Sequence, residues 1–514
     1  MGLLRILLPA AALLCLGGCG DETRAPGPRW IHTAVALEDV PRDRPVHVWM
    51  DGDALRSAYI EEAADGLALV VGGKPGKRYA AMPVTWGMPG TDVSIDAGGP
   101  AVFFGPHGRR IAHTAQTRTG VAYVIDGVEG PSYARIWPLT FGADGARHAY
   151  AASRDDATYV VVDGQEIGPV HELQSDTWDG WPTIRFSGDG TRVAFVERRV
   201  AATGGARQRA WIDNVPQPWF DDVRYLVLAP AGDDYAYVAS DRKPRPRTRV
   251  VRGGAVGPAF KEIGRLAFSP DGKHLAYYGR RQDASGLILD NVPQTEGMTD
   301  IVGPVVFSPD GKAIAYTESV EGGWRVVAGG VAGATYERVS GLAFAPGGHA
   351  PVYIAQTGAT MFPVIGAAAG PPAANTWFPQ FSRDGAHHAY RQRTGATTTM
   401  VVDGQARAIG STWAHDPLLS PSGQSVAYAT HGGDAGARLV IDGEAGPAFD
   451  AIHLAAGGLR LQPASTRPGV FPVCGHATSH LGALHAHAVF SDEDTVRYLA
   501  RRDGVTYRVE AKRQ

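Results

Sequence analysis

The sequence predicts an all-β protein built from a small unit of strands that is repeated along most of the chain. Three observations support this fold class: a ten-residue block that returns about every forty residues, a second hairpin signal inside each repeat, and a composition rich in turn residues. The chain has 66 glycines and 36 prolines, while 44% of its residues are hydrophobic and only 20% are charged. This balance favours a folded core over a disordered chain.

The recurring block joins two strands through a tight turn. In FSPDGKHLAY, from Phe268, an aromatic residue ends the first strand, Pro270 fixes φ, Asp271 bonds back to the backbone and Gly272 takes the left-handed conformation. The next strand alternates between its two faces. Ten clear copies begin at Phe104, Phe141, Phe186, Leu228, Phe268, Phe307, Phe344, Phe381, Leu419 and Phe490, and two degenerate copies begin at Trp49 and Leu454.

A second hairpin signal lies about fifteen residues further on in the repeats. It is a β-branched run that ends at an aspartate, and these turn aspartates are Asp126, Asp163, Asp213, Asp290, Asp403 and Asp442. Each repeat thus supplies three clear strands and a shorter fourth. Four antiparallel strands per repeat of forty residues predict β-propeller blades, whose apolar faces are covered by their neighbours.

The phrase FSPDGK, followed by a small residue and an aromatic, closely resembles the repeats of TolB-like propellers, a WD-repeat-like bacterial family. It occurs at Phe268 and at Phe307, and the resemblance covers roughly residues 45–514. The resemblance implies a β-propeller fold but does not indicate a ligand. The tryptophan-aspartate ending of eukaryotic WD repeats is absent, so their scaffold roles are not implied.

The number of repeats bears on domain organisation. Propellers usually have about four to eight blades, whereas this chain offers ten to twelve. We therefore predict two propellers in series, residues 46–303 and 304–514, with one large ring as the alternative. The last repeat stops after its third strand, at residues 505–510, which leaves a place for an N-terminal segment to complete it and remove an open edge.

The N-terminus predicts export. Residues 1–18 have the layout of a secretory signal peptide, with Arg5 before an apolar stretch that ends at Leu16. The segment Leu16-Gly17-Gly18-Cys19 resembles the lipobox of bacterial lipoproteins, which implies that Cys19 is lipidated. An ordinary cleaved signal, with an incidental cysteine, is the alternative.

Residues 19–45 are rich in proline and charge and are predicted to be a lipidated tether. Gly20 follows the cysteine where an aspartate would be the inner-membrane signal, and this resembles the class sorted to the outer membrane. We therefore expect a protein anchored in the bacterial cell envelope through lipid on Cys19 and facing the periplasm. Cys474 would be the only remaining thiol, so no internal disulfide is expected.

Two groups of residues are candidates for cation binding. The cluster Cys474, His476, His480, His485 and His487 has donors suited to zinc or copper(I), yet its spacings match no zinc motif, and a loop with incidental histidines is favoured. The turn aspartates could form a ring of carboxylates, but their place in hairpins gives each a local structural role. No metal or other cofactor is predicted.

Aromatic and basic residues suggest further surfaces. Three tryptophans each follow a threonine ahead of a repeat block: Trp178, Trp377 and Trp413. This fixed position in the repeat favours packing between blades over a surface for sugar or peptide. The basic stretch at residues 242–249 is interpreted as a hairpin loop, with an anionic envelope partner as the alternative.

Charge and motifs narrow the function. With 49 basic and 52 acidic residues and a net charge of −3, the chain lacks the positive field that nucleic-acid binding requires. It has no Gly-x-Ser-x-Gly elbow, phosphate loop or His-Glu-x-x-His motif. We predict a non-catalytic module that binds an envelope protein or glycan. The alternative is a propeller enzyme, a hydrolase or lyase acting on polysaccharide or peptide, with its groups converging at a channel mouth.

Overall fold

The computed structural model describes most of the repeat region. The described residues are 30–37, 46–51, 54–83, 102–105, 110–143, 145–175, 182–200, 205–241, 247–281, 284–294, 300–301, 303–409, 413–431, 436–453, 489–502 and 505–514. Within these ranges the chain forms strands and turns and no helix. Accordingly, no helix in the described ranges has the length and apolar character needed to cross a membrane.

The strands of the described ranges form eleven antiparallel sheets, which follow one another along the chain and are numbered here as blades 1–11. The first described strand, β1 (Trp30–Ala36), belongs to blade 11. Blade 1 contains β2 (Val46–Asp51), β3 (Ala54–Ala63), β4 (Gly66–Val71) and β5 (Lys74–Tyr79). Blade 2 contains β6 (Val102–Phe104), β7 (Ile111–Gln116), β8 (Val121–Ile125) and β9 (Val128–Glu129).

In several blades the first strand is interrupted and forms two short strands that pair with the same second strand. Blade 3 contains β10 (Arg135–Ile136), β11 (Thr140–Phe141), β12 (His148–Arg154), β13 (Ala157–Val162) and β14 (Gln165–Val170). Blade 4 contains β15 (Glu172–Leu173), β16 (Ile184–Phe186), β17 (Val193–Val200), β18 (Ala206–Ile212) and β19 (Val215–Pro216).

Blades 5 and 6 have an uninterrupted first strand of seven residues. Blade 5 contains β20 (Asp222–Leu228), β21 (Tyr235–Asp241), β22 (Arg247–Arg252) and β23 (Ala255–Phe260). Blade 6 contains β24 (Glu262–Phe268), β25 (Leu275–Arg281), β26 (Ala284–Leu289) and β27 (Val292–Pro293). Blade 7 contains β28 (Asp300–Ile301), β29 (Val306–Phe307), β30 (Ile314–Val320), β31 (Gly323–Ala328) and β32 (Val331–Tyr336).

The last four blades repeat the same plan. Blade 8 contains β33 (Arg338–Phe344), β34 (Pro351–Thr357), β35 (Thr360–Ile365) and β36 (Ala368–Ala369). Blade 9 contains β37 (Asn375–Thr376), β38 (Gln380–Phe381), β39 (His388–Thr394), β40 (Thr397–Val402) and β41 (Gln405–Ala408). Blade 10 contains β42 (Trp413–Ala414), β43 (Leu418–Leu419), β44 (Val426–His431), β45 (Ala437–Ile441) and β46 (Glu444–Ala445). Blade 11 contains β47 (Ala451–His453), β48 (Val489–Asp492), β49 (Thr495–Arg502) and β50 (Val505–Arg513) in addition to β1.

The predicted fold class is confirmed, because these sheets are the four-stranded antiparallel blades of a β-propeller protein. The degenerate copy at Trp49 spans the β2–β3 hairpin of blade 1, and the copy at Leu454 lies outside the described residues. First strands of consecutive blades contact one another, for example β20 with β24 and β24 with β29. The first strands of consecutive blades are therefore neighbours in the structure.

The predicted hairpin chemistry is present in the turn at Asp271. The Ser269 hydroxyl donates to Asp271 Oδ1 at 2.5 Å, and the backbone N–H of Lys273 donates to the same oxygen at 3.1 Å. Gly272, with φ of +73°, donates its N–H to the Ser269 carbonyl at 2.9 Å. Since only glycine adopts this φ without strain, the motif fixes the turn that joins the first and second strands.

The core lies between blades rather than within one of them. On β12, Tyr150 packs against Tyr123 of blade 2, while Ala149 on the opposite face joins Phe195 of blade 4. Alternate residues of one strand thus serve two interfaces. Ala276 and Leu287 of blade 6 pack with residues of blade 7 in the same way, across the predicted domain boundary at residue 303. The division into two propellers stays a prediction.

The N-terminal strand completes the last blade, as the incomplete final repeat predicted. β1 pairs with β50 in antiparallel register, from Trp30 opposite Arg513 to Ala36 opposite Tyr507. This pairing covers the edge that β50 would otherwise leave open, which is the usual hazard of a terminal strand.

Candidate functional site

Several predicted candidates lie outside the described residues. These are the lipidation candidate Cys19, the tryptophan Trp178, and the cluster Cys474, His476, His480, His485 and His487. Within the described ranges, no group of three or more histidine, cysteine, aspartate or glutamate residues is placed to hold a metal ion. The lipidation of Cys19 and the metal interpretation of the cluster stay predictions.

The six turn aspartates occupy hairpin turns, each with a φ between +47° and +52°. In blade 3, Asp163 Oδ1 accepts the backbone N–H of His148 at 2.9 Å, and its Oδ2 accepts Arg147 Nε at 2.8 Å. The Arg147 guanidinium also bonds the Thr191 carbonyl of the next blade. These carboxylates therefore close a hairpin and help to join neighbouring blades, which is the structural role favoured by the sequence.

Trp377 contacts an arginine of its own blade, and its packing between blades stays a prediction. The Arg391 guanidinium lies 3.9 Å from the centre of the Trp377 ring, and Arg391 Nε pairs with Asp416 Oδ1 of blade 10 at 2.7 Å. The backbone N–H of Trp377 donates to the carbonyl of Arg391. The ring thus makes a cation–π contact with an arginine that itself forms an interblade ion pair.

A strained tyrosine marks the first strand of blade 5. The pairing of β20 with β21 shifts between Arg224 and Val227, and Tyr225 in this bulge has a φ of +53°. The matching bulge of blade 8 has Gly341, with a φ of +70°. Because a left-handed conformation costs a bulky residue about 1–2 kcal/mol, Tyr225 is strained where blade 8 has glycine.

Guanidinium groups from three consecutive blades surround Tyr225. Those of Arg224 and Arg265 lie 5.8 and 6.0 Å from the centre of the tyrosine ring. Arg185 Nη1, from blade 4, donates to the carbonyl of Leu226 at 3.3 Å. We call Arg185, Arg224, Tyr225 and Arg265 the Tyr225 site.

Three acidic side chains on the first strands of blades 4 to 6 are each paired with an arginine. Asp222 pairs with Arg224 itself at 2.8 Å. Glu172 and Glu262, which begin the first strands of blades 4 and 6, are each engaged by an arginine of the second strand, Arg198 at 2.7 Å and Arg280 at 2.5 Å. Glu172 and Glu262 are thus engaged within their own blades, and the guanidinium groups around Tyr225 are of a kind that suits anionic groups.

A small pocket opens at the Tyr225 site between blades 4 and 5. Its lining consists of Gln174, Thr183, Arg185, Phe195, Val196, Val223, Arg224, Tyr225 and Leu226. Gln174 Oε1 is buried there without a hydrogen-bond partner. Amide, hydroxyl and guanidinium groups beside an aromatic ring form a surface that can hydrogen-bond a polar ligand and pack against it.

On the second strand of blade 4, a buried carboxylate orients a histidine. Glu197 is fully buried, and its Oε1 accepts His171 Nδ1 at 2.6 Å while its Oε2 accepts Arg209 Nε at 2.6 Å and Trp211 Nε1 at 2.7 Å. Burial alone would raise the pKa of Glu197, but the donors from His171, Trp211 and Arg209 outweigh it and hold the pKa below its usual value.

The ring of His171 is half exposed, with Nε2 as the nitrogen not bonded to the carboxylate. Trp219 lies edge-on to it, with 6.3 Å between ring centres. A carboxylate on Nδ1 selects the tautomer in which neutral Nε2 accepts a hydrogen bond.

Sequence reasoning found neither Tyr225 nor the pair of His171 and Glu197. A comparison of first strands contains one signal, since DVRYLVL in blade 5 has tyrosine where RVSGLAF in blade 8 has glycine. His171 and Glu197 stand 26 positions apart with no linear motif.

The known proteins to which this chain is similar are solved structures of low sequence identity. No protein-family model matches the chain, and no curated protein matches it. Among solved structures, a eukaryotic initiation factor is similar over 69% of this chain and 95% of its own, with 11% identity and a TM-score of 0.38. TolB from Acinetobacter baumannii is similar over 50% of this chain and 79% of its own, with 16% identity and a TM-score of 0.22.

The β-propeller domain of the Trilobed protease from Pyrococcus furiosus is also similar, over 53% of this chain and 93% of its own, with 13% identity and a TM-score of 0.26. Likenesses at this level of identity concern the fold alone.

Proposed function

We propose that this chain is a lipid-anchored binding module of the bacterial cell envelope, which docks a protein or glycan through acidic groups held at the Tyr225 site. The observation that carries the proposal is the position of Arg224 and Arg265 beside the Tyr225 ring, with Arg185 bonded to the adjacent Leu226 carbonyl. Guanidinium groups pair with carboxylates and phosphates in a bidentate geometry and also stack on aromatic rings. The strain at Tyr225 fits this role, because strained residues persist where a site needs their side chains.

The envelope location rests on the N-terminal sequence. The signal-like segment and the lipobox-like Leu16-Gly17-Gly18-Cys19 support lipidation of Cys19. The test is metabolic labelling with a palmitate analogue, followed by membrane fractionation. We expect the wild type to incorporate label and to sediment with membranes, and Cys19→Ser to do neither; equal labelling of both forms contradicts the anchor.

Ligand binding is tested on the purified Cys19→Ser chain with polygalacturonate as an acidic glycan, polyglutamate as an acidic polypeptide and dextran as a neutral polymer. We expect binding to one or both acidic polymers that weakens with added salt, and none to dextran. Charge-assisted hydrogen bonds contribute about 1.5–3 kcal/mol each, so Arg224→Gln with Arg265→Gln should weaken binding by about tenfold or more.

Arg338→Gln is the matched control, because Arg338 is an exposed arginine on the first strand of blade 8, away from Tyr225. Equal weakening in this variant, or unchanged binding in the double variant, contradicts the Tyr225 site. The response to the two acidic polymers separates a glycan ligand from a protein ligand.

A propeller hydrolase or lyase is the second candidate, and the oriented imidazole of His171 is the observation that favours it. A histidine whose Nδ1 is held by a carboxylate can act as a general base through Nε2. This candidate requires that the chain release fragments from polygalacturonate or polyglutamate and that His171→Gln abolish the release. Binding without fragment release supports the non-catalytic module.

A further inference from the structure

We infer that the tether joins the propeller at the face that carries the hairpin turns, so that lipid on Cys19 holds this face toward the bilayer. The opposite face, with His171 and Trp219, then points away from the bilayer. The inference rests on the proposed lipidation of Cys19, but the site of attachment is independent of the ligand.

The two hairpins of a blade that carry aspartates lie at one end, which we call the turn face. In blade 6 the hairpin between the first and second strands contains Asp271, and the hairpin between the third and fourth strands contains Asp290. Asp290 Oδ1 accepts the backbone N–H of Leu275, four residues after Asp271, at 2.9 Å. The remaining hairpin of each blade, between its second and third strands, is at the opposite end, as are the links from one blade to the next.

The first residue of β1 lies at the turn face. Trp30 Nε1 donates to Asp442 Oδ2 at 3.3 Å, and Asp442 lies in the hairpin between the third and fourth strands of blade 10. The backbone N–H of Trp30 donates to Glu444 at 3.4 Å. Its strand partner Arg513 also contacts Asp442, at 3.1 Å. The other end of β1, Ala36, is paired with Tyr507, near the hairpin between β49 and β50 at the opposite face.

Residues 30–36 of the predicted tether form β1, so the tether that links Cys19 to Trp30 is residues 20–29. Ten residues span about 35 Å when fully extended and about 18 Å on average as a flexible coil. β1 itself, with seven residues, is about 20 Å long. To bring the opposite face to the bilayer, the tether would have to run back along the whole of β1. The length of β1 is about the average end-to-end distance of the tether, so on average no length would remain to reach the lipid.

The face opposite the anchor carries connections between blades. His171 follows β14 and precedes β15, and Trp219 lies between β19 and β20. Arg209 stacks on the Trp219 ring at 4.5 Å, so this aromatic group is held in place. Because this face points away from the bilayer, the face and the first strands that begin there are accessible to polymers in the periplasm.

The test measures which face lies near the lipid. The purified lipidated chain, with Cys474→Ser, is reconstituted into phosphatidylcholine vesicles that contain a nitroxide-headgroup lipid, and single cysteines carry a fluorophore. Lys312→Cys and Ala386→Cys report on the turn face of blades 7 and 9. Glu321→Cys and Ala396→Cys report on the opposite face of the same blades, and all four positions are exposed.

We expect at least twofold stronger quenching at residues 312 and 386 than at residues 321 and 396. Equal quenching of both faces, or the reverse order, overturns the inference. Should the native chain carry no lipid, the anchor proposal fails, and the same measurement is made on the chain starting at Cys19 after ligation of a lipid thioester to that cysteine. The quenching order then decides the attachment face by itself.

Discussion

The indole N–H of Trp30 donates to the carboxylate of Asp442, 412 positions further along the chain, at 3.3 Å. This bond joins the first described strand to the turn of blade 10, while β1 itself is paired into blade 11. The Arg513 guanidinium lies 5.2 Å from the centre of the Trp30 ring, and Phe490 lies edge-on to it. Trp30 therefore fastens the N-terminal strand to the end of the chain.

Replacement of Trp30 should loosen this end of the protein. Trp30 is 6% exposed, so Trp30→Ala removes a buried ring and should lower the free energy of unfolding by about 3–5 kcal/mol. Urea unfolding followed by circular dichroism measures the loss. The neighbouring Ile31 is 42% exposed, and Ile31→Ala should cost under about 1 kcal/mol. Equal losses in both variants would show that burial of the ring is not what fastens β1.

The same strand contains a histidine that makes it sensitive to acid. Burial lowers the pKa of His32 from 6.5 to about 4, although Glu444 opposes the shift, and His32 Nδ1 lies 3.0 Å from the Tyr498 hydroxyl. The unfolded chain binds the proton more readily than the folded one. The contribution of neutral His32 to stability is therefore complete above about pH 6.5 and is lost progressively as the pH falls toward 4.

The variant His32→Asn isolates this effect. We expect the difference in unfolding free energy between the wild type and His32→Asn to shrink as the pH is lowered from 7 to 4, which denaturant titrations at several pH values measure. Other histidines contribute equally to both proteins, so they cancel in the difference. A difference that is constant over this pH range contradicts the assignment.

The strain at Tyr225 can be measured by two truncations. Tyr225→Ala removes the ring and keeps a side chain in the left-handed conformation, whereas Tyr225→Gly removes both the ring and the strain. We expect the glycine variant to be more stable than the alanine variant by about 1 kcal/mol, the reverse of the usual order in a strand. Both should bind acidic polymers equally weakly. Denaturant unfolding and the polymer binding assay test the two statements, and an alanine variant more stable than the glycine variant would refute the strain.

Loss of the Glu197 carboxylate should lower the free energy of unfolding far more than loss of the exposed Glu172 carboxylate. Glu197→Gln places an amide N–H against donors of Arg209 or His171 and should cost about 3–5 kcal/mol, as expected when one member of a buried ion pair is lost. Glu172→Gln, at a side chain 59% exposed and paired with Arg198, should cost under about 1 kcal/mol.

The pH dependence provides a second check on Glu197. Its pKa is lowered in the folded protein, so its contribution is complete above the ordinary value of 4.5 and is lost as the pH falls below it. The stability gap between the wild type and Glu197→Gln should therefore narrow only in that acidic range. A gap that already closes near neutral pH would contradict a carboxylate held by His171 and Arg209.

The blades could be predicted from the sequence, because the residues that define each hairpin lie close together in the chain. Phe268, Pro270, Asp271 and Gly272 define a hairpin within a few residues, and ten copies of that hairpin in register define the fold class. The structural role of Asp163 and the other turn aspartates was predictable for the same reason, since each bonds the start of a strand in its own blade.

The candidate sites could not be predicted from the sequence, because they depend on how strands and blades pack together. Tyr225 acquires its left-handed φ from a bulge in the pairing of two strands, and its arginines come from three different blades. Glu197 meets His171 across strands, and Trp30 meets Asp442 across nearly the whole chain. Repetition explains the difference: a repeated motif encodes what blades share, whereas a site arises from the residues in which neighbouring blades differ and from packing that brings those residues together.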